Sequence, residues 1–155
     1  MKTMAKHRIP KPNAAADTKV RKPYLPTSGN KILFSFEILD RNEYFDIGYN
    51  CVEWLGDLLE TMRQVSALPK ADLFSGKLKT YRFHNHENAA PPCRVPNGIE
   101  LKDMHQIRIA TSKGGIHGVF VDDVFYVVWL DPMHNLYPDE HHGGLTKITP
   151  FKNRK

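Results

Sequence analysis

The run "VFYVVWL", Val124 to Leu130, constrains the fold more than any other stretch of this chain. It is seven consecutive apolar residues, rich in β-branched and aromatic side chains. Such a run reads as a strand buried on both faces, so the chain must supply a covering layer on each side of it. Asp131-Pro132 ends it, because proline has no N–H and holds its predecessor extended. The turn that follows, "MHNLY", leads away from the sheet and carries His134 and Tyr137 to its rim. Three residues apart in a turn, the two can face the same side.

The segments just upstream alternate. "HQIRIATS" places Ile107 and Ile109 on one face and Arg108 on the other. Lys113-Gly114-Gly115 supplies a turn, "IHGVFV" a second strand and Asp122-Asp123 a second turn. With "VFYVVWL" these form an expected three-strand antiparallel meander. If Ser112 pairs with Gly115, His117 falls opposite Ala110 and shares a face with Arg108. A slip of one residue separates them. "KILFSFEIL" and "KLKTYRFH" read as further strands, and either can cover the free edge.

"YNCVEWLGDLLETMRQV" is the clearest helix. Asn50 is placed to cap it, and Glu53 to reach back in a capping box. Cys51, Trp54, Leu55, Leu58, Leu59, Met62 and Val65 form one apolar stripe. Pro69 closes the pattern or opens a short helix through "KADLF". Residues 85–98 hold three prolines and an Asn-Gly signal and read as a loop, and "IELKDM" as one helical turn. The expected class is α+β: an antiparallel sheet of four to five strands, with one long amphipathic helix on one face.

The chain of 155 residues fits one domain with tails. Its charge of +5 is unevenly spread. Residues 1–30 carry +6 and contain four prolines, which reads as a disordered basic arm. Residues 145–155 carry +4 as a basic tail, which leaves the single domain at 31–144 with −5. No apolar run is long enough to span a bilayer, and no apolar segment follows the basic N-terminus as a secretory signal requires. Cys51 and Cys93 lack metal-type spacing. No membrane and a reducing, cytoplasmic setting are the default expectations.

Candidate chemistry centres on histidine. His84 and His86, two apart, share a strand face and can share a metal, with His134, His141, His142 or Asp131 completing a site. His117 lies mid-strand on the face of Val119 and Val121, where a lone histidine is most simply a satisfied structural residue. Together with His134, Tyr137, Arg108 and Lys113 it also suits RNA cleavage. A base takes the 2′-hydroxyl proton, cations steady the phosphorane and an acid protonates the leaving 5′-oxygen, with no cofactor.

The stretches "HQIRI", "KGGIHGVF" and "VFYVVWLDPMHNLY" resemble the C-terminal half of RelE/ParE-like toxins, the mRNA interferases of type II toxin–antitoxin modules. The resemblance covers a third to a half of the chain and is one of pattern. It implies a metal-independent endoribonuclease acting on mRNA, with RNA or the ribosome and an antitoxin protein as partners. It further implies that Arg108 and Lys113 meet phosphate, that His117 stands where the family usually has arginine, and that His134 or Tyr137 is the general acid or base. The folded region's negative charge departs from that family. Two other readings stand beside it: a non-enzymatic protein- or nucleic-acid-binding module, and a His-ligated metal-dependent enzyme.

Overall fold

The computed structural model describes residues 31–109 and 114–151. Among them five strands form one sheet: β1 (Leu33–Ser35), β2 (His84–Asn85), β3 (Met104–Arg108), β4 (Gly115–Val121) and β5 (Val124–Asp131), in the order β1-β5-β4-β3-β2. The apolar run is thus next to the edge strand β1 and hydrogen-bonded on both sides. The β2–β3, β3–β4 and β4–β5 pairs are antiparallel.

The sheet is mixed, which corrects the antiparallel expectation: β1 runs parallel to β5. No hairpin joins these two strands. The rest of the domain lies between them, so no tight turn imposes an antiparallel pairing. Both candidate edge segments find places, on opposite edges. The second contributes only two strand residues, because a 3₁₀ turn at Lys79–Tyr81 and a left-handed Arg82 precede it.

The main helix, α1, spans Trp54–Ser66, and a short α2 spans Lys70–Phe74. The expected start at Asn50 and its capping box are not formed. Asn50 spends its side chain elsewhere, donating to the Lys147 carbonyl and accepting from the Thr149 N–H. The buried stripe is narrower than expected: Trp54, Leu58, Thr61 and Val65 are buried, whereas Leu55 and Leu59 are 37% and 60% exposed.

Two apolar clusters sandwich the sheet. One joins Trp54, Leu58 and Val65 to Ile107, Ile116, Phe125, Val127 and Leu130. The other joins Phe45 and Leu136 to Met104, Val128 and Trp129. The second layer comes from loops and the chain's return. Residues 146–149, expected to begin a basic tail, pack on the body: Ile148 is buried and its N–H donates to the Glu43 carbonyl. The Tyr49 N–H donates to the Thr149 carbonyl. A Cβ at Gly48 would overlap that carbonyl, so glycine permits the approach.

Candidate functional site

A β-bulge sets the site's orientation. His117 pairs with Trp129 and Gly118 with Val127, so Val128 is an extra residue in β5. Side chains alternate along a strand, and one extra residue inverts the alternation beyond it. Phe125 and Val127 therefore face α1, while Trp129 and Asp131 face the Phe45 layer, on the side of His117. The bulge is pinned. The Asp40 N–H donates to the Val128 carbonyl, and Trp129 Nε1–H donates to Asp40 Oδ2 across 2.9 Å. Phe45 stacks on Trp129 at 4.6 Å between ring centres.

On this face a hydrogen-bonded chain runs from the interior towards the surface. Asp131 Oδ1 accepts from the Asn135 N–H at 2.6 Å, and Oδ2 from the Leu136 N–H at 2.9 Å. His117 Nε2 lies 3.2 Å from Asp131 Oδ2. His117 Nδ1 lies 2.9 Å from His86 Nε2, and His86 Nδ1 lies 2.6 Å from the Tyr137 hydroxyl. Asp131, His117 and His86 are fully buried and Tyr137 half-buried.

The proton positions follow from this network. Both Asp131 oxygens already accept from backbone N–H groups, so in this network His117 donates to Oδ2 from Nε2. His117 Nδ1 then accepts from His86 Nε2–H, and His86 Nδ1 accepts from the Tyr137 hydroxyl. Burial, reinforced by the neighbouring His117, His84 and His105 rings, pushes the His86 imidazole down to about 2, so it is neutral. Burial also raises the Tyr137 phenol, which keeps its proton.

The structure brings His117 and Tyr137 together through His86, which the sequence had suggested only as a metal ligand. His134, left-handed at φ 62°, lies beside the outlet with its ring centre 6.2 Å from that of Tyr137. His84 flanks the other side at 5.7 Å. Arg108 shares the face of His117, in a different register from the one expected: His117 pairs with Gln106, and Arg108 with Gly115. The Ile109 N–H donates to the Gly114 carbonyl, so the connection runs through 110–113 rather than two residues. Arg108, Gly115 and Asp131 form one cross-strand row, in which Gly115 puts no side chain between the cation and the acid. Lys113 lies outside the described residues.

Asp131 was legible only as a strand terminator or metal partner. Its pairing with His117 depends on the bulge, which the unbroken apolar run conceals. His86 had one usable signal, its two-residue spacing from His84, which puts both on one face of an extended segment. Among the described residues no group of three His, Cys, Asp or Glu side chains is placed to hold a metal ion. No described helix is long and apolar enough to cross a membrane. Compared with protein-family models, curated proteins and solved structures, the chain has no match.

Proposed function

We propose that the protein is a metal-independent, RelE-like endoribonuclease in which Tyr137 is the base. The observation that carries this reading is the hydroxyl of half-buried Tyr137 at the end of a buried His86–His117–Asp131 chain. As Tyr137 oxygen takes the 2′-hydroxyl proton, its own proton passes to His86 Nδ1. His86 Nε2 gives its proton to His117 Nδ1. The net charge appears on His117, beside the Asp131 carboxylate, where it is best compensated.

His86 changes tautomer and never holds the charge, in keeping with an imidazole pushed down to about 2. The 2′-oxygen attacks phosphorus, and the bond to the 5′-oxygen breaks. His134, on the same rim, protonates the leaving oxygen, and Arg108 and Lys113 steady the phosphorane. An mRNA or ribosome-bound RNA is the substrate, and an antitoxin protein the partner.

The test is incubation of single-stranded RNA with the pure protein in chelator. The expected products end in 2′,3′-cyclic phosphate, and Tyr137→Phe lowers the rate by about 10²- to 10⁴-fold. Absence of cleavage by the wild type, or an unimpaired Tyr137→Phe, removes the reading. A second reading, a protein-binding module, is favoured by exposed Leu55 and Leu59 on α1 and Val52 in the turn before it. Co-purification of a partner with the wild type and its loss in Leu59→Asp would support it.

A further inference from the structure

The opposite face of the same sheet edge carries a second group of rings. His105 and Gln106 are neighbours in β3, and β2 pairs with both, Asn85 with His105 and His84 with Gln106. His84 lies beside Tyr137 on one face, while His105 points to the other. There it stacks on Phe83, the rings 4.8 Å apart and 6° from parallel. Phe74 stands edge-on to both, at 4.8 Å from Phe83 and 5.3 Å from His105.

A cavity of about 490 Å³ opens here, walled by His105, Phe74, Phe120 and Ile99. Phe83 lies behind His105 and is not part of the wall. A second cavity of about 480 Å³ meets it at Phe74 and Lys70, and Phe74 is 50% exposed between the two.

The polar groups narrow what fits. His105 Nδ1 lies 3.1 Å from the Asp103 carbonyl, which makes Nδ1 the protonated nitrogen and Nε2 an acceptor. Burial lowers this imidazole, so the ring is a neutral stacking surface. The charges of the first cavity balance. Lys102 pairs with Glu100 at 2.6 Å, Lys70 Nζ donates to the Asp122 carbonyl and lies over the Phe120 ring, and Asp103 offsets Lys70. Asp123 lines the second cavity. A lining without net positive charge does not select phosphate. It suits a flat, uncharged ring, and an exocyclic amino group on that ring has His105 Nε2 as its acceptor in the wall.

We infer that this cleft is a base-binding slot for single-stranded RNA, in which an amino-bearing nucleobase (adenine, cytosine or guanine) sits in the cavity against the ring wall of His105, Phe74 and Phe120. The inference rests on the RNA reading of the Tyr137 site and deepens it. β2 is only two residues long, so a strand crossing that edge joins the two faces, with the scissile phosphate at Tyr137 and a nearby base in the slot. Stacking on exposed aromatic rings is the general means of holding single strands without phosphate-specific contacts.

The test uses full-length protein carrying Tyr137→Phe, so that RNA is held and not cut. Labelled short oligomers of A, C and U are titrated by fluorescence polarisation, and the His105 ring resonances are followed by NMR. Oligo-A and oligo-C are expected to bind about tenfold tighter than oligo-U and to shift the His105 signals. Adding Phe74→Ala weakens binding by about tenfold. Adding His105→Phe keeps the stacking surface and abolishes the preference for A and C.

Unmoved His105 resonances on saturation with oligo-A, or unchanged affinity in the Phe74→Ala protein, overturn the slot. Cleavage by the wild type is read separately. If RNA is cut but His105 stays silent, the slot falls and the nuclease reading stands. If His105 responds and no RNA is cut, the reverse holds.

Discussion

His117 and Asp131 meet at 3.2 Å, Nε2 to Oδ2, from adjacent strands and with both side chains fully buried. Their Cα partners are offset, His117 opposite Trp129 and Asp131 opposite Gly115. The pair therefore exists only because the extra residue Val128 inverts the end of β5. The same inversion leaves Leu130 in the α1 cluster and Trp129 under Phe45. One irregularity in the ladder thus serves the packing of both layers and the chemistry of the site.

Asp131→Asn tests what that carboxylate does. Its oxygens accept from two backbone N–H groups and from His117. An amide NH₂ in place of Oδ2 sets a donor against the Leu136 N–H and forces His117 to present Nε2 as an acceptor. The expected loss is about 2–3 kcal/mol in denaturant unfolding. Ring ¹⁵N spectra should show the protonated nitrogen moving from Nε2 to Nδ1 in both His117 and His86. Unchanged tautomers would mean that Asp131 does not set the direction of the chain.

How much of this was legible in the sequence follows from the range of each cause. Alternation in "HQIRI" and "IHGVFV" is local, and β3 and β4 lie where it places them. Register is not local: Arg108 pairs with Gly115 rather than a residue farther on, because the connection at 110–113 is longer than a two-residue turn. The Asn50 cap failed for a long-range reason, since residues 147 and 149 claim its side chain. His86 looked like a loop residue because its neighbours are polar, yet its N–H donates to the Met104 carbonyl and extends the β2–β3 pairing. The parallel partner of β1 comes from the end of the domain, beyond the reach of any pattern in "KILFSFEIL".

Acid should destabilise the protein through His86. In the unfolded chain this histidine titrates near its usual value of about 6.5, and in the folded protein near 2. Between those values the unfolded chain binds more protons, so stability rises with pH. The contribution is complete above about 6.5 and is lost as pH falls, at no more than about 1.4 kcal/mol per unit. Urea unfolding between about pH 7.5 and about pH 4.5 measures the slope. His86→Gln should flatten it, and a variant as steep as the wild type would locate the acid sensitivity elsewhere.

Gly118 follows His117 at the bulge, and its position tests how tightly β4 and β5 approach there. A Cβ would overlap the Tyr126 carbonyl and press on the Phe125 ring. Neither is the mobile end of a flexible chain, so Gly118→Ala must shift a strand. The expected cost is about 2–4 kcal/mol by denaturant unfolding. Gly56→Ala is the control. Nothing lies within reach of its Cβ, and in the first turn of α1 alanine should stabilise by up to about 0.5–1 kcal/mol.

Asn135 ties the site to the chain's return. Its backbone N–H holds Asp131 Oδ1. Its side-chain amide donates to the Tyr44 and Thr146 carbonyls at 2.8 and 2.7 Å, and its Oδ1 accepts from the Thr146 N–H at 2.8 Å. The residue is fully buried, so Asn135→Ala leaves several backbone groups without partners out of reach of water. That should cost about 3 kcal/mol. It should also release the packed return first, because Ile148 is the one buried residue among 146–149. Amide exchange at Ile148 and Thr149 is then expected to quicken far more than exchange at Val127 in β5. Uniform quickening would show instead that Asn135 supports the whole domain, and that the return is no separate unit of stability.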